Sequence, residues 1–375
     1  NEIYINWYVG LDTTRNSVVS SGTFVSGSYR DYTVKVDVEN LESNTYYYYW
    51  FTFKDDTSQI GRTKTLPGSA SNLNEINLCF LSCSNYARGY FDGYRHIAEK
   101  ELDAVIHLGD YIYEYKHTLG VRDVLPDKEL ITIDDYRSRY SYYRLDKNLQ
   151  MAHQNHPFIL IWDDHEVVNN FYKDGHPRMK TKTDFDTRKE SAAQAYFEWM
   201  PIRENKERLL YRTFDFGNLL KLIMLDTRGE GRDMVLSDWG LKEMDRKDRT
   251  IIGESQKRWF FNELESSDSD WNLISSQVIF STLNLSFSPI FNKIFGKSKR
   301  LLDKWDGYPQ EKKNVKDFIM NNSISNVVFY SGDLHIGSIS EIYNNDSYIG
   351  TELSTPSLTS YNVDEAVSPI TNFLI

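Results

Sequence analysis

The chain has only two cysteines, Cys79 and Cys83, in 375 residues. Four positions apart on an extended strand, they would share a face about 13 Å apart. Disulfide-bridged Cα atoms lie about 5.5 Å apart, so two free thiols are expected. No apolar run approaches the roughly 20 residues that span a bilayer, which excludes a transmembrane helix. No basic segment followed by an apolar one opens the chain, so a signal peptide is either absent or already removed. Basic residues are in deficit, with Lys plus Arg at 43 against Asp plus Glu at 54 and a net charge of -11. That excludes a stable bulk complex with nucleic acid, which needs a basic surface. It leaves room for an anionic substrate, because bound cations invert the local field. P-loop, GxSxG, HExxH, GxGxxG and CxxC elements are all missing, and nucleophilic catalysis by serine is unsupported.

The length exceeds one ordinary core, so two domains are expected. Tyrosine is abundant, at 26 residues, and a Tyr-, Asn- and Lys-rich chain suits an extracellular, β-containing protein. Residues 1–67 read as strands: NEIYINWYV, YTVKVDV and the aromatic TYYYYWFTF, joined by turn-rich DTTRNS, SGS and KDDTSQIG. No helical period interrupts them, as in a small β-sandwich. LESNTYYYYWFTF resembles the penultimate strand of fibronectin-like modules. Such a sandwich wants about seven strands and fewer are visible, so the chain is expected to begin partway into this domain. Residues 68–75 form a linker.

From residue 76 to 375 the pattern changes to α/β. Buried strands INLCFLSCS, LDAVIHLGD, HPFILIWDDHE, LLKLIMLDTR, WNLISSQVIFS and ISNVVFYSGDLH alternate with helical stretches such as RKESAAQAYFEWM and GESQKRWFFNELESS. Apolar strands between helices predict a layered α/β domain. Nearly every strand ends in ligand-capable residues: SCSN, GDYIY, DDHE, LDTR, SSQ and GDLH. Ligands of α/β sheets bind outside the carboxyl ends of strands, so these ends predict one convergent site.

Asp110 follows Gly109 at a strand end and can bridge two cations. Tyr113, three residues on, can bring its phenol back beside it, and a phenolate favours a trivalent metal such as Fe³⁺. The plain alternative is a solvated carboxylate after a buried strand. WDDHE leaves an apolar strand into two carboxylates and an imidazole, which is costly unless they are paired or metal-bound. Asp164 is the expected metal ligand. His165 is expected to touch the phosphoryl group or protonate a leaving oxygen. Asp163 and Asn170 are ligands or holders of ligands; a helix-capping Asp pair is the competing explanation. Asp333 and His335 alternate on an extended segment and so share a face. Cys83 ends its strand, where a thiolate can bind metal, whereas Cys79 reads as a small buried hydrophobe. Asn85 and Ser84 could donate to phosphate oxygens. Arg228 could clamp a phosphate bidentately, or simply pair with a carboxylate. Gln277 is a weaker candidate for a neutral oxygen ligand. Together these residues resemble a multi-metal hydrolase in which cations generate hydroxide and clamp the phosphoryl group.

The motifs SCSN, LDAVIHLGDYIYEY, HPFILIWDDHEVVNN, AAQAYFEWMPIR, LDTRGEGR, GESQKRWF, KWDGYPQEKKNV, SGDLHIGS and ELSTPSLTS occur in one order. In that order they resemble the PhoD-type alkaline phosphatases of the calcineurin-like metallophosphatase class, over residues 1 to about 362. The resemblance implies a fibronectin-like β-sandwich, here partly truncated, followed by a catalytic αββα sandwich. It implies Fe³⁺ and Ca²⁺, and hydrolysis of phosphomonoesters, phosphodiesters or both. Cys83, Asp110, Tyr113 and His335 would hold the iron. Asp110 would bridge to calcium, with Asp164, Asp333 and Asn170. It also implies export to the periplasm, cell surface or medium. Against the family pattern, the first sandwich strands are missing before Asn1, and the chain stops at Ile375 where a further strand and C-terminal segment usually follow. Two other readings were weighed: a phospholipase- or nuclease-like phosphodiesterase distinguished by loops 116–135 and 286–304, and a cell-surface binding protein with a dead catalytic domain. The second requires lost metal ligands, and none of the motif positions is lost.

Overall fold

The computed structural model describes residues 2–116, 120–236, 242–282 and 302–362. The N-terminal region is one five-stranded antiparallel sheet. It contains β1 (Ile3–Gly10), β2 (Val18–Ser26), β3 (Tyr46–Phe53), β4 (Asp56–Thr57) and β5 (Gly61–Lys64). Tyr8 of β1 lies opposite Trp50 of β3, and their rings stack with centroids 5.4 Å apart. Such cross-strand aromatic pairs are what hold a small sheet together. The expected strand at Tyr32–Val38 is not one. Tyr32 has a φ of 56°, and the segment pairs with the α/β region instead of a strand. Lys35 Nζ donates to the Ile202 carbonyl at 2.9 Å, and Arg203 grips Asp37 at 2.7 and 2.8 Å. The strand at Val18–Ser26, whose alternation is diluted by serines, was not legible.

The α/β region has two sheets. β6 (Leu78–Leu81), β7 (Ala104–His107) and β8 (Phe158–Leu160) are parallel. The other sheet contains β9 (Arg212–Phe216), β10 (Leu220–Met224), β11 (Trp271–Ser276), β12 (Val327–Ser331), β13 (Ser338–Asn344) and β14 (Ser347–Ser354). Its order is β13-β14-β12-β11-β10-β9. The helices are α1 (Asp92–Ala98), α2 (Ile133–Tyr143), α3 (Lys147–Asn155), α4 (Lys182–Trp199), α5 (Gly253–Glu265) and α6 (Pro309–Asn321). Capping sets several helix starts: Thr132 and Asp135 form a reciprocal box on α2, and Asp146 accepts two N–H groups of α3. That satisfies backbone donors the helix itself cannot.

Alternation along the strands divides the core in two. Leu222, Met224 and Leu273 face one cluster with β6–β8 and α1–α4, whereas Ile223, Leu225 and Ile274 face a second with α5 and α6. Successive strand residues point to opposite faces, so a sheet buried on both sides reads as a continuous apolar run. The two sheets face each other, with Phe80 of β6 stacked on Tyr330 of β12 at 3.6 Å between centroids. The carboxyl ends of β6, β7, β8, β10, β11 and β12 therefore open on one side. Both cysteines are free, as expected.

Candidate metal centre

The chain reverses sharply as it leaves these strands. Cys83, Asp110, Asn170, Asp333 and His335 have φ values of 61°, 55°, 56°, 57° and 57°. Non-glycine residues avoid this region, and such strain gathers at functional sites. Gly109, at φ 107°, packs against the backbone of Asp163, where a Cβ would lie 2.3 Å from its nitrogen. Only glycine fits that approach.

The strand ends bring the predicted ligands together. Cys83, Asp110 and His335 place one ligand atom each within 4.8 Å of one another. So do Asp110, Asp164 and His165, and so do Asp163, Asp164 and Asp333. Asp110 belongs to two of these groups and is 2% exposed. Tyr113 donates its hydroxyl to Asp110 Oδ2 at 3.0 Å and accepts from Ser360 at 2.7 Å. His335 Nδ1 meets the Tyr361 carbonyl at 2.7 Å, which leaves Nε2 for a metal. The Asn170 amide sits between two carboxylates, where its NH₂ reaches Asp164 Oδ2 at 3.1 Å and Asp303 Oδ2 at 3.3 Å. Asp164 Oδ1 is buried without a hydrogen-bond partner. A buried carboxylate oxygen left without a donor suits a hard cation.

The electrostatics point the same way. Burial and the Asp110 charge push the Cys83 thiol well above its usual range. Burial and then Asp110 likewise raise the Tyr113 phenol. Burial raises Asp110 against the pull of His165, and Asp164, Asp163 and Glu166 raise it further. A metal ion reverses these penalties, because it favours every anionic form. The residues present fit a two-metal centre: Cys83, His335 and the Tyr113 phenol gather on one side of Asp110, and the Asp164 carboxylate with the Asp163–Asp164–Asp333 cluster on the other. Burial opposes charge on His165, but Glu114, Asp110 and Asp164 outweigh it and hold the imidazole protonated well above the ordinary range. Its Nδ1 lies 2.6 Å from Glu114 Oε2.

Four expectations change. Arg228 is fully buried, and its donors go to Asp163, to Asp303 at 3.1 Å and to Asp333 at 2.9 Å. A clamp on phosphate needs free, forward-facing donors, so this arginine instead offsets buried carboxylates. Gln277 spends both amide atoms on the chain, accepting from Thr227 N at 2.8 Å and donating to Leu225 O at 2.7 Å, so it is no metal ligand. Ser84 turns away from the site to Tyr94 and His107, at 2.7 and 3.2 Å. Asn85 is 2% exposed and gives one of its two amide hydrogens to Tyr115 at 2.9 Å, which leaves at most one for a phosphate. Residues 286–301 of the second specificity loop lie outside the described residues.

Sequence reasoning also passed over several residues. Glu166 accepts from the backbone of Asp110 at 3.0 Å, Tyr111 at 2.5 Å and Asp163 at 2.8 Å. Burial pushes it up to about 7 against those donors. It stands in WDDHE, three residues after Asp163, at the spacing of a capping residue. Glu114 lies four after Asp110. Asp303 and Lys304 sit on an irregular segment with no period to announce them; Lys304 pairs with Asp333.

Comparison with known proteins agrees with this architecture. The model of the PhoD-like phosphatase family matches residues 78–372, and that of the PhoD-like phosphatase N-terminal domain matches residues 1–67. Alkaline phosphatase D of Bacillus subtilis (strain 168) is 36% identical over 377 residues, covering 95% of this chain. The chain spans 63% of that relative's length. A solved structure of PhoD superposes with a TM-score of 0.87 at 35% identity, covering 96% of this chain and 71% of the other. A purple acid phosphatase from yellow lupin seeds superposes at 0.61 with 11% identity, covering 96% and 61%; that likeness shows a shared metallophosphatase-like fold. No described helix is long and apolar enough to cross a membrane. With family models over both parts of the chain and a relative alike across nearly all of it, the chain belongs to the PhoD-like phosphatase family.

Proposed function

We propose that this chain is an exported, metal-dependent phosphoesterase acting on phosphomonoesters, phosphodiesters or both. Cys83, Asp110, Tyr113 and His335 would hold Fe³⁺. Asp110, Asp164, Asp333 and Asn170 would hold Ca²⁺. The observation that carries this reading is the sharing of Asp110 between a group with Cys83 and His335 and a group with Asp164 and His165, each with ligand atoms within 4.8 Å. Soft and aromatic ligands beside hard oxygens suit two different metals.

When bound, the metals supply charge for the phosphoryl oxygens and a water-derived nucleophile. Asp110 would serve both metal positions. The His165 imidazolium, fixed by Glu114, faces the same space and can donate a proton to the leaving oxygen. Arg228 and Lys304 keep the crowded carboxylates tolerable in a buried site.

Element analysis of purified protein tests the metals. Hydrolysis of p-nitrophenyl phosphate and bis-p-nitrophenyl phosphate, with and without chelator, tests the reaction. Iron with calcium and chelator-sensitive turnover is the expected result, with Asp110→Asn and His335→Ala both inactive. Full activity in either variant would sink the scheme.

A further inference from the structure

Beside the metal centre lies a cavity of about 720 Å³ that the reaction at the metals does not use. Its near wall is Glu114 and Tyr115, the residues that hold His165 and Asn85. Its far wall is the start of α4 and the loop before it, including Arg178, Lys180 and Arg188. Arg188 is 6% exposed. Its Nε donates to Tyr136 at 3.0 Å and its Nη1 to Glu129 at 2.7 Å. Its Nη2 is buried with no partner. A guanidinium nitrogen left unmatched is costly, and native structures seldom leave one without a reason. Glu129 is 56% exposed, so Arg188 can turn toward the cavity by releasing one solvated partner.

The charges around the cavity are nearly all spoken for. Of its carboxylates, Glu114 is matched by His165 and Glu129 by Arg188. Asp184 remains at the first turn of α4. Arg178 and Lys180 stand exposed, with no ion pair among the described residues. Two free cations and the unpaired Nη2 of Arg188 therefore face one carboxylate.

We propose that this cavity is a second-anion subsite. It takes the substituent of the phosphate ester that carries a further phosphate or carboxylate, with Arg188 as its inner donor and Arg178 and Lys180 at its mouth. The substrate class becomes esters with two anionic groups, one at the metals and one here. The assignment of the first anion rests on the phosphoesterase reading, but the subsite can be tested by binding alone.

The test uses metal-loaded protein and a matched pair, thymidine 5′-monophosphate and thymidine 3′,5′-bisphosphate, measured by calorimetry. Hydrolysis of their 5′-p-nitrophenyl esters is followed alongside. The bisphosphate is expected to bind at least about tenfold more tightly, the scale of one charge-assisted contact. Arg188→Lys and the double variant Arg178→Ala/Lys180→Ala should erase that preference and leave binding of the monophosphate unchanged. An equal affinity for both ligands in the wild type overturns the proposal. So does a variant that weakens both ligands alike, since that marks Arg188 as a structural tie. If neither ester is cleaved but the binding preference and its loss are seen, the subsite stands and the hydrolytic reading falls.

Discussion

Glu166→Gln tests how the centre is built. The wild-type carboxylate is fully buried and accepts backbone N–H groups of Asp110, Tyr111 and Asp163. Those bonds tie the turn after β7 to the turn after β8, the two that carry Asp110 and Asp164. Glutamine keeps the volume but brings an NH₂ group into a ring of donors. Its oxygen can take the place of Oε2 and serve Asp110 and Asp163. Tyr111 N then faces a donor. One buried donor left unpaired costs about 1–3 kcal/mol. The two remaining bonds also lose their charge assistance, which roughly doubles such a bond's strength. A total near 3 kcal/mol is expected, with Asp110 less firmly placed. Groups that orient ligands typically cost 10–100-fold in metal affinity when changed, so a loss of about that size is expected. Competition against a chromophoric chelator measures it, and near-ultraviolet circular dichroism confirms the native fold. Wild-type metal affinity in a folded Glu166→Gln protein would refute the reasoning. The carboxylate would then be only a tie between two loops.

Further outcomes follow from the surroundings. Arg228→Leu strands the buried Asp163 and leaves Asp303 and Asp333 only Arg232 and Lys304, so the chelated protein should lose about 3–5 kcal/mol, as when a buried ion pair is broken. Added calcium should recover part of that in a melting experiment. Thr132→Ala removes the α2 cap and should cost about 1 kcal/mol in denaturant unfolding. Asp135 gives a pH signature. Burial opposes its ionisation, yet Lys128 and the N–H groups of Thr132 and Ile131 hold its carboxyl at about 2. The unfolded value is about 3.9, so its stabilisation is present above that pH and is lost as pH falls toward 2. Melting curves of Asp135→Asn between pH 5 and 2 should accordingly fall less steeply than those of the wild type.

The α/β strands were readable because burial on both faces leaves continuous apolar runs, as in FILIW and LIML. The candidate metal ligands stood out because each such run ends abruptly in polar residues. For Arg228 the sequence left a phosphate clamp and a carboxylate partner equally open, for a physical reason. A motif shows that an arginine is near a site, but only the fold shows that carboxylates from three distant segments surround it. Asp303 comes from an irregular stretch and Ser360 from a turn, where no period marks a side chain's direction. The N-terminal strand Val18–Ser26 hid behind serines, while Tyr32–Val38 alternated well and yet found its partner in the α/β region. Alternation reports that one face is covered, not what covers it.

The left-handed ligands make one more prediction. At an ordinary strand position, glycine is less stable than alanine, because its unfolded chain has more freedom to lose, by about 0.4–1 kcal/mol. Cys83 has a φ of 61° and is 1% exposed. There an alanine keeps the Cβ that makes the left-handed conformation cost roughly 1–2 kcal/mol, while glycine releases it. Both variants lose the thiol, and neither can bind metal through this position. Glycine also gives up the buried Cβ, about 0.8 kcal/mol of packing, so at an unstrained buried site alanine would be the more stable by about 1–2 kcal/mol. Relief of the left-handed conformation offsets that, and Cys83→Gly should be about as stable as Cys83→Ala in chelator. Denaturant midpoints of the two proteins measure it directly. If alanine is the more stable by that full margin, position 83 is not held in a costly conformation, and the geometry that aims the thiol at Asp110 does not come from this turn. If the two are equal, residue 83 is a place where the fold gives up stability to aim its side chain.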